Sequence, residues 1–201
     1  MIRNLMWLAA GAIGIVVVAG LGGLIYMQKG AHGFSARAEP SFLEAAAAQQ
    51  ARSMAMPAAA RHLRNPIPES REALQQGMAH WADHCAICHA NDGSGQVGMG
   101  RQMYPHSPDM RKAATQQLTD GELFYIIENG IRLTGMPAWG GSDAGVNDSW
   151  RLVQFIRHLP DLTQAEVAQM EKLNPKGPED KQTEQEEDDF LNGQKPNRSS
   201  K

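Results

Sequence analysis

Cys85-Ala86-Ile87-Cys88-His89 holds both cysteines of the 201-residue chain, with a histidine directly after the second. Thiols three residues apart lie one helical turn from each other on the same face, where each can form a thioether with a haem vinyl group. His89 then falls beneath the iron, because an imidazole beside two covalent links is presented at high effective concentration. Other readings of the pair explain less. A disulfide would close a very short loop and remove little chain entropy, and a redox dithiol calls for a strand and helix around it. A structural zinc site calls for four ligands, and there is no second cysteine pair. None of these accounts for the histidine.

A haem bound through His89 alone would leave one iron position open to gas or peroxide, whereas a second protein ligand would close it and suit electron transfer. There are 11 methionines, so a lone one carries little information. Met136 differs in its setting of Gly135-Met136-Pro137, in which glycine lets the backbone approach a ring and proline stiffens the far side. It follows His89 by 47 residues, enough chain to pass from one face of a macrocycle to the other. Thioether sulfur favours the ferrous state and raises the reduction potential. Met99, Met103, Met110, His106 and His158 are the competing candidates, and Arg132 and Trp139 flank the loop.

Outward from the motif, Ser70 is a predicted N-cap for a helix running through Ala73, Leu74, Gly77, Met78 and Trp81 into Cys85. Gly77 would weaken that helix by about 1 kcal/mol relative to alanine, which points to another helix crossing closely there. His80 and His84 read as surface or haem-edge residues. The stretch 91–100 is too rich in glycine for regular structure, and 104–109 continues as a rigid turn whose carbonyls could accept the Nδ1 proton of His89.

Thr119 and Glu122 form a predicted capping box, stapled by Leu118 and Leu123, for a helix that Asn129-Gly130 stops. A further helix starting near Asp148 or Ser149 presents Trp150, Val153, Phe155, Ile156 and Leu159, ends at Pro160 and is the natural partner for Gly77. Thr163 and Glu166 repeat the cap for a short helix to Leu173. Seven acidic residues crowd 179–189, so 176–201 reads as a polar, disordered tail.

At the other end, the 23 residues 5–27 carry no charge and are rich in Leu, Ile, Val, Ala and Gly. At about 1.5 Å per residue they would cross roughly 30 Å of hydrocarbon, longer than the apolar run of a cleavable signal. They read as a retained anchor after a tail of residues 1–4. Arg3 alone precedes the span while Lys29, Arg37 and Arg52 follow, which by charge counting favours the reverse orientation. With so few residues ahead of the span, and long domains translocating regardless of charge, the haem requirement outweighs that count. The connector 28–68 contains an Ala-rich helix within 42–56. If free, it would reach about 35 to 40 Å and leave the haem domain able to move. Met54 and Met56 are candidates for packing, or less plausibly for covering a haem. A net charge of −3 gives no reason to expect a nucleic-acid partner.

Over about 69–160 the sequence resembles the class I c-type cytochromes, on Cys-Ala-Ile-Cys-His at 85–89, Thr-Asp-Gly-Glu-Leu at 119–123, Asn-Gly-Ile-Arg at 129–132, Gly-Met-Pro-Ala-Trp at 135–139 and the Trp150 helix. The resemblance implies an all-α fold around one covalently bound haem c, Cys85 and Cys88 as attachment sites, and His89 and Met136 as axial ligands. It also implies Gly77 beside the terminal helix. Ala90 stands where that family commonly has glycine, and His106-Ser107 interrupts a turn usually richer in proline. With its anchor, the chain is similar to bacterial membrane-tethered monohaem members, whose haem domain is on the periplasmic side of the cytoplasmic membrane.

Three functions follow as expectations: a tethered one-electron carrier between membrane or periplasmic redox partners, a fixed cytochrome subunit of a membrane oxidoreductase complex, and a haem enzyme or gas sensor. The first is favoured over the second, and both over the third, which needs an open iron. No catalytic residue is expected of the chain.

Overall fold

The computed structural model describes residues 2–29, 35–141, 143–177 and 191. Nearly all of the predicted tail at 176–201, and the connector residues 30–34, lie outside these. Among the described residues the chain is helical, with no strand. The first helix, α1 (Ile2–Lys29), is long and apolar enough over Met6–Lys29 to cross a membrane. Then follow α2 (Phe42–Ala55), α3 (Ala58–His62), α4 (Arg71–His80), α5 (Ala86–His89) and α6 (Gly98–Arg101). After them come α7 (Ala113–Gln116), α8 (Asp120–Asn129), α9 (Asp143–His158) and α10 (Gln164–Glu171).

The core is the crossing of α4 and α9. A Cβ on Gly77 would lie 2.4 Å from the Arg151 carbonyl oxygen and 3.2 Å from Phe155 Cβ, so only glycine permits this approach. Trp81, Val153, Phe155, Leu159 and Met170 are the largest fully buried side chains. Leu152, absent from the predicted apolar face, is buried with them. The α9 helix begins at Asp143, before the expected Asp148 or Ser149, and ends in a 3-10 turn, Leu159–Asp161, that contains Pro160. It stacks Trp150 on Phe124 of α8 with ring centroids 4.1 Å apart. Arg157 donates to Asp120 Oδ1 (2.9 Å) and to the Gln116 carbonyl (2.7 Å), tying α9 to the start of α8. Both capping boxes form: Thr119 with Glu122 on α8, and Thr163 with Glu166 on α10, which ends at Glu171 rather than Leu173.

The connector differs most from expectation. Instead of hanging free, its second half packs on the haem-motif domain. Met56 and Ala60 are buried, while Met54 stays exposed. A Cβ on Gly121 would strike the Ala60 carbonyl, so α3 lies directly on α8. Arg61 pairs with Glu122 at 3.4 Å, Asn65 Nδ2 donates to the Trp150 carbonyl (2.8 Å), and Gln154 Nε2 donates to the Ile67 carbonyl (2.8 Å). Nearer the anchor, His106 Nδ1 meets Glu39 Oε1 at 3.1 Å and the Tyr104 hydroxyl donates to Glu44. The reason is hidden in residue types: Asn65 and Gln154 look like surface residues in the sequence but satisfy carbonyls across the interface.

Candidate functional site

Ser70 Oγ accepts the Ala73 N–H (3.0 Å), which starts α4 on the register that delivers Cys85. The predicted helix does not run straight into the motif. Residues Trp81–Cys85 form a π turn, which widens the helix by one residue per turn just before the first cysteine. Cys85 ends that turn, and Cys88 and His89 lie on α5, so all three sit on one short continuous segment.

Burial, followed by the neighbouring Cys88, pushes the Cys85 thiol up to about 12, and burial also raises Cys88. Reactive dithiols show the opposite shift, toward thiolate. These thiols stay protonated at neutral pH, which suits them poorly to redox exchange or to a thiolate metal site. Burial lowers His89 to about 4, which keeps its imidazole neutral and therefore able to ligate. The ring lies 5.7 Å from the Trp81 ring, and its Nδ1 is buried without a hydrogen-bond partner. The carbonyl expected from 104–109 does not reach it. The backbone of this region contacts the motif elsewhere: Gly95 N–H donates to the His89 carbonyl (2.8 Å), and a Cβ on Gly100 would meet the Cys88 carbonyl. Within the stretch expected to be irregular, Gly98–Arg101 forms a single helical turn.

Met136 lies in the loop after α8. Thr134 Oγ1 accepts the Met136 N–H (3.1 Å) and donates to the Ile131 carbonyl (2.8 Å), while Ile131 N–H donates to the Met136 carbonyl (3.2 Å). Trp139 and Gly140 N–H groups return to the Ile127 and Glu128 carbonyls at 3.0 Å each, pinning the loop's end to α8. The glycine before Met136 serves space rather than dihedral freedom, since a Cβ there would stand 2.2 Å from Met103 Sδ. Two contacts bring this loop toward the motif. Trp139 meets His84 edge-on at 5.4 Å between ring centroids, and Met103, from the segment wrapped around Cys88 and His89, packs on Gly135.

His84 also stacks on His80 at 4.7 Å; burial and then the His84 charge lower the His80 pKa. His84 Nδ1 lies 3.2 Å from Asp83 Oδ2 without hydrogen-bond alignment. Among the described residues no group of three or more His, Cys, Asp or Glu side chains forms another metal site. Of the competing axial candidates, His158 is engaged with Glu166 at 2.9 Å and His106 with Glu39.

These features fit a haem: two protonated thiols one turn apart, a buried neutral imidazole, and exposed apolar side chains nearby, Ile87 between the cysteines (60% exposed), Met99 beside Gly100 (52%) and Trp139 against His84 (41%). Exposed apolar side chains close to a ligating centre are what a large apolar group would cover. Residues 72–156 match the family model described as cytochrome c oxidase, cbb3-type, subunit III. Residues 72–156 are therefore a c-type cytochrome domain of the electron-transfer kind, whose cofactor is covalently bound haem c with its iron. No curated protein matches the chain.

Directly after the motif, Ala90 takes a backbone conformation that side chains rarely adopt. It has φ 63° and ψ 160°, a region that is close to glycine-only and costs a side-chain-bearing residue of order 1–3 kcal/mol. A glycine at this position would carry no such strain. Ala90 is held by the Trp81 indole N–H, which donates to its carbonyl at 3.0 Å, and by its own N–H, which donates to the Ala86 carbonyl at 2.8 Å.

Proposed function

We propose that this protein is a membrane-tethered one-electron carrier, its haem attached through Cys85 and Cys88 and ligated by His89 and Met136. In this reading α1 anchors the chain in a bacterial cytoplasmic membrane, the haem domain is periplasmic, and the partners are redox proteins at the membrane or in the periplasm. The bound haem supplies a one-electron ferric–ferrous couple. The chain's own residues attach it, supply a neutral imidazole on one side and a thioether on the other, and keep water from the iron. The observation that carries the reading is the Met136 loop, closed by the Thr134 bonds and held toward the motif through Trp139 and Met103. A loop fixed in this way presents a ligand at little entropic cost on binding.

A second reading, a fixed subunit of a membrane oxidoreductase complex, has its own support. The docked connector shortens the tether, since Glu39 meets His106 only ten residues after the end of α1. Ten residues reach at most about 35 Å. The family model is also named for an oxidase subunit. Mild detergent extraction separates the two. A haem band migrating as the lone 21.9 kDa chain supports the carrier, and one migrating with a much larger assembly supports the subunit.

A further inference from the structure

Residues outside the matched domain reach back to the haem motif. Just beyond α10, whose Met170 is fully buried, stands the half-buried Asn174. In the carboxamide orientation that satisfies its neighbours, Asn174 Nδ2 faces the carbonyls of Ala82 and Met170 at 3.0 Å and Asn91 Oδ1 at 2.9 Å. Its Oδ1 accepts from Asn91 Nδ2 at 3.0 Å. Ala82 lies in the π turn three residues before Cys85, and Asn91 lies two residues after His89. The Trp81 indole spans the same interval, from Trp81 to the carbonyl of strained Ala90. Two consecutive residues before the motif are thus tied to two consecutive residues after it, one tie made by a core indole and the other by a side chain from the C-terminal extension.

We propose that Asn174 is a positioning residue for haem ligation. It holds the ends of the Cys85–His89 segment at a fixed separation and keeps Ala90 in its unfavourable conformation. Because the haem hangs from this segment through two thioethers, a segment free to relax at Ala90 would carry the iron out of register with the Met136 loop. The inference rests on Met136 as the sixth ligand.

The test uses the full-length holoprotein in detergent and the affinity of its ferric form for added imidazole, which competes with the thioether. Low-spin electron paramagnetic resonance of the same samples reports the orientation of the axial imidazole. Asn174→Ala is expected to bind imidazole about tenfold more tightly, with shifted g-values. Asn174→Asp, which turns a carboxylate toward the Ala82 carbonyl, is expected to bind it more tightly still. Thr163→Ala removes the cap of the same helix without touching the motif, and should lower the melting temperature with imidazole affinity unchanged. Placing Asn174→Ala in an Ala90→Gly background, where little strain remains to be held, should shrink its tenfold effect below about threefold. Asn174 variants that lose stability while keeping wild-type imidazole affinity and g-values would reduce Asn174 to a structural brace and overturn the proposal. Undiminished coupling in the glycine background would also overturn it. If wild-type ferric protein takes up imidazole with no ligand to displace, it is the Met136 reading that fails instead.

Discussion

The two sides of the proposed site are built by different means. The Cys85–His89 side is an extension of the core: α4 enters it from its close crossing with α9, Trp81 is 1% exposed, and Ala82 and Ala86 are buried. The Met136 side is a surface loop in which Leu133 is 93% exposed and takes a positive φ of 63°, and its shape depends on a few hydrogen bonds. Packing fixes the first and local polar contacts the second. Attachment and proximal ligation should therefore rise and fall with the fold, whereas distal ligation should be separable from it.

The largest effect should come from removing the core-side link. A domain this small buries a modest core, and the porphyrin would add a large apolar surface at its centre. Cys85→Ala with Cys88→Ala is expected to be colourless and largely unfolded by circular dichroism; near-native helicity without haem would break the comparison. Met136→Ala should do the reverse. It is expected to keep its helicity and attached haem, lose the sulfur–iron charge-transfer band, lower the reduction potential and bind carbon monoxide rapidly when reduced. Gly77→Ala probes packing alone, since its Cβ meets the Arg151 carbonyl. A loss of about 2 kcal/mol or more in chemical denaturation is expected, with an unchanged ferric spectrum while folded. Thr134→Val removes both loop bonds made by the hydroxyl. It should cost about 1 kcal/mol at most in global stability while measurably weakening the sulfur–iron bond in an imidazole titration. One change is a gain: Ala90→Gly should raise stability by about 1 kcal/mol, seen as a higher denaturation midpoint.

The sequence made the buried side more legible than the loop side, for a physical reason. Helix starts are written locally, so Ser70, Thr119 and Thr163 could be read as caps, and Gly77 announced a crossing because a helix interior otherwise disfavours glycine. The Cys85-to-His89 motif is legible for the same reason, its chemistry being set by spacing along one turn. The π turn at Trp81–Cys85 is not, because it follows from how α4 must enter the core rather than from any local residue pattern. The docking of α3 on α8, the Asn65 and Gln154 bonds and the Asn174 bridge are contacts between distant segments and leave no trace in composition. At Gly135 the structure adds a contact that spacing along the chain does not show, the packing of Met103 against it. Thr134, two residues before Met136, was within reach of a side-chain-to-backbone turn reading and is the local signal the loop did offer.

The most direct test of the two-sided site is carbon monoxide added to the reduced, full-length protein. With sulfur occupying the sixth position, the ferrous spectrum should stay almost unchanged on the seconds timescale. Rapid and complete formation of a carbon monoxide adduct would show an open iron and contradict the electron-carrier reading.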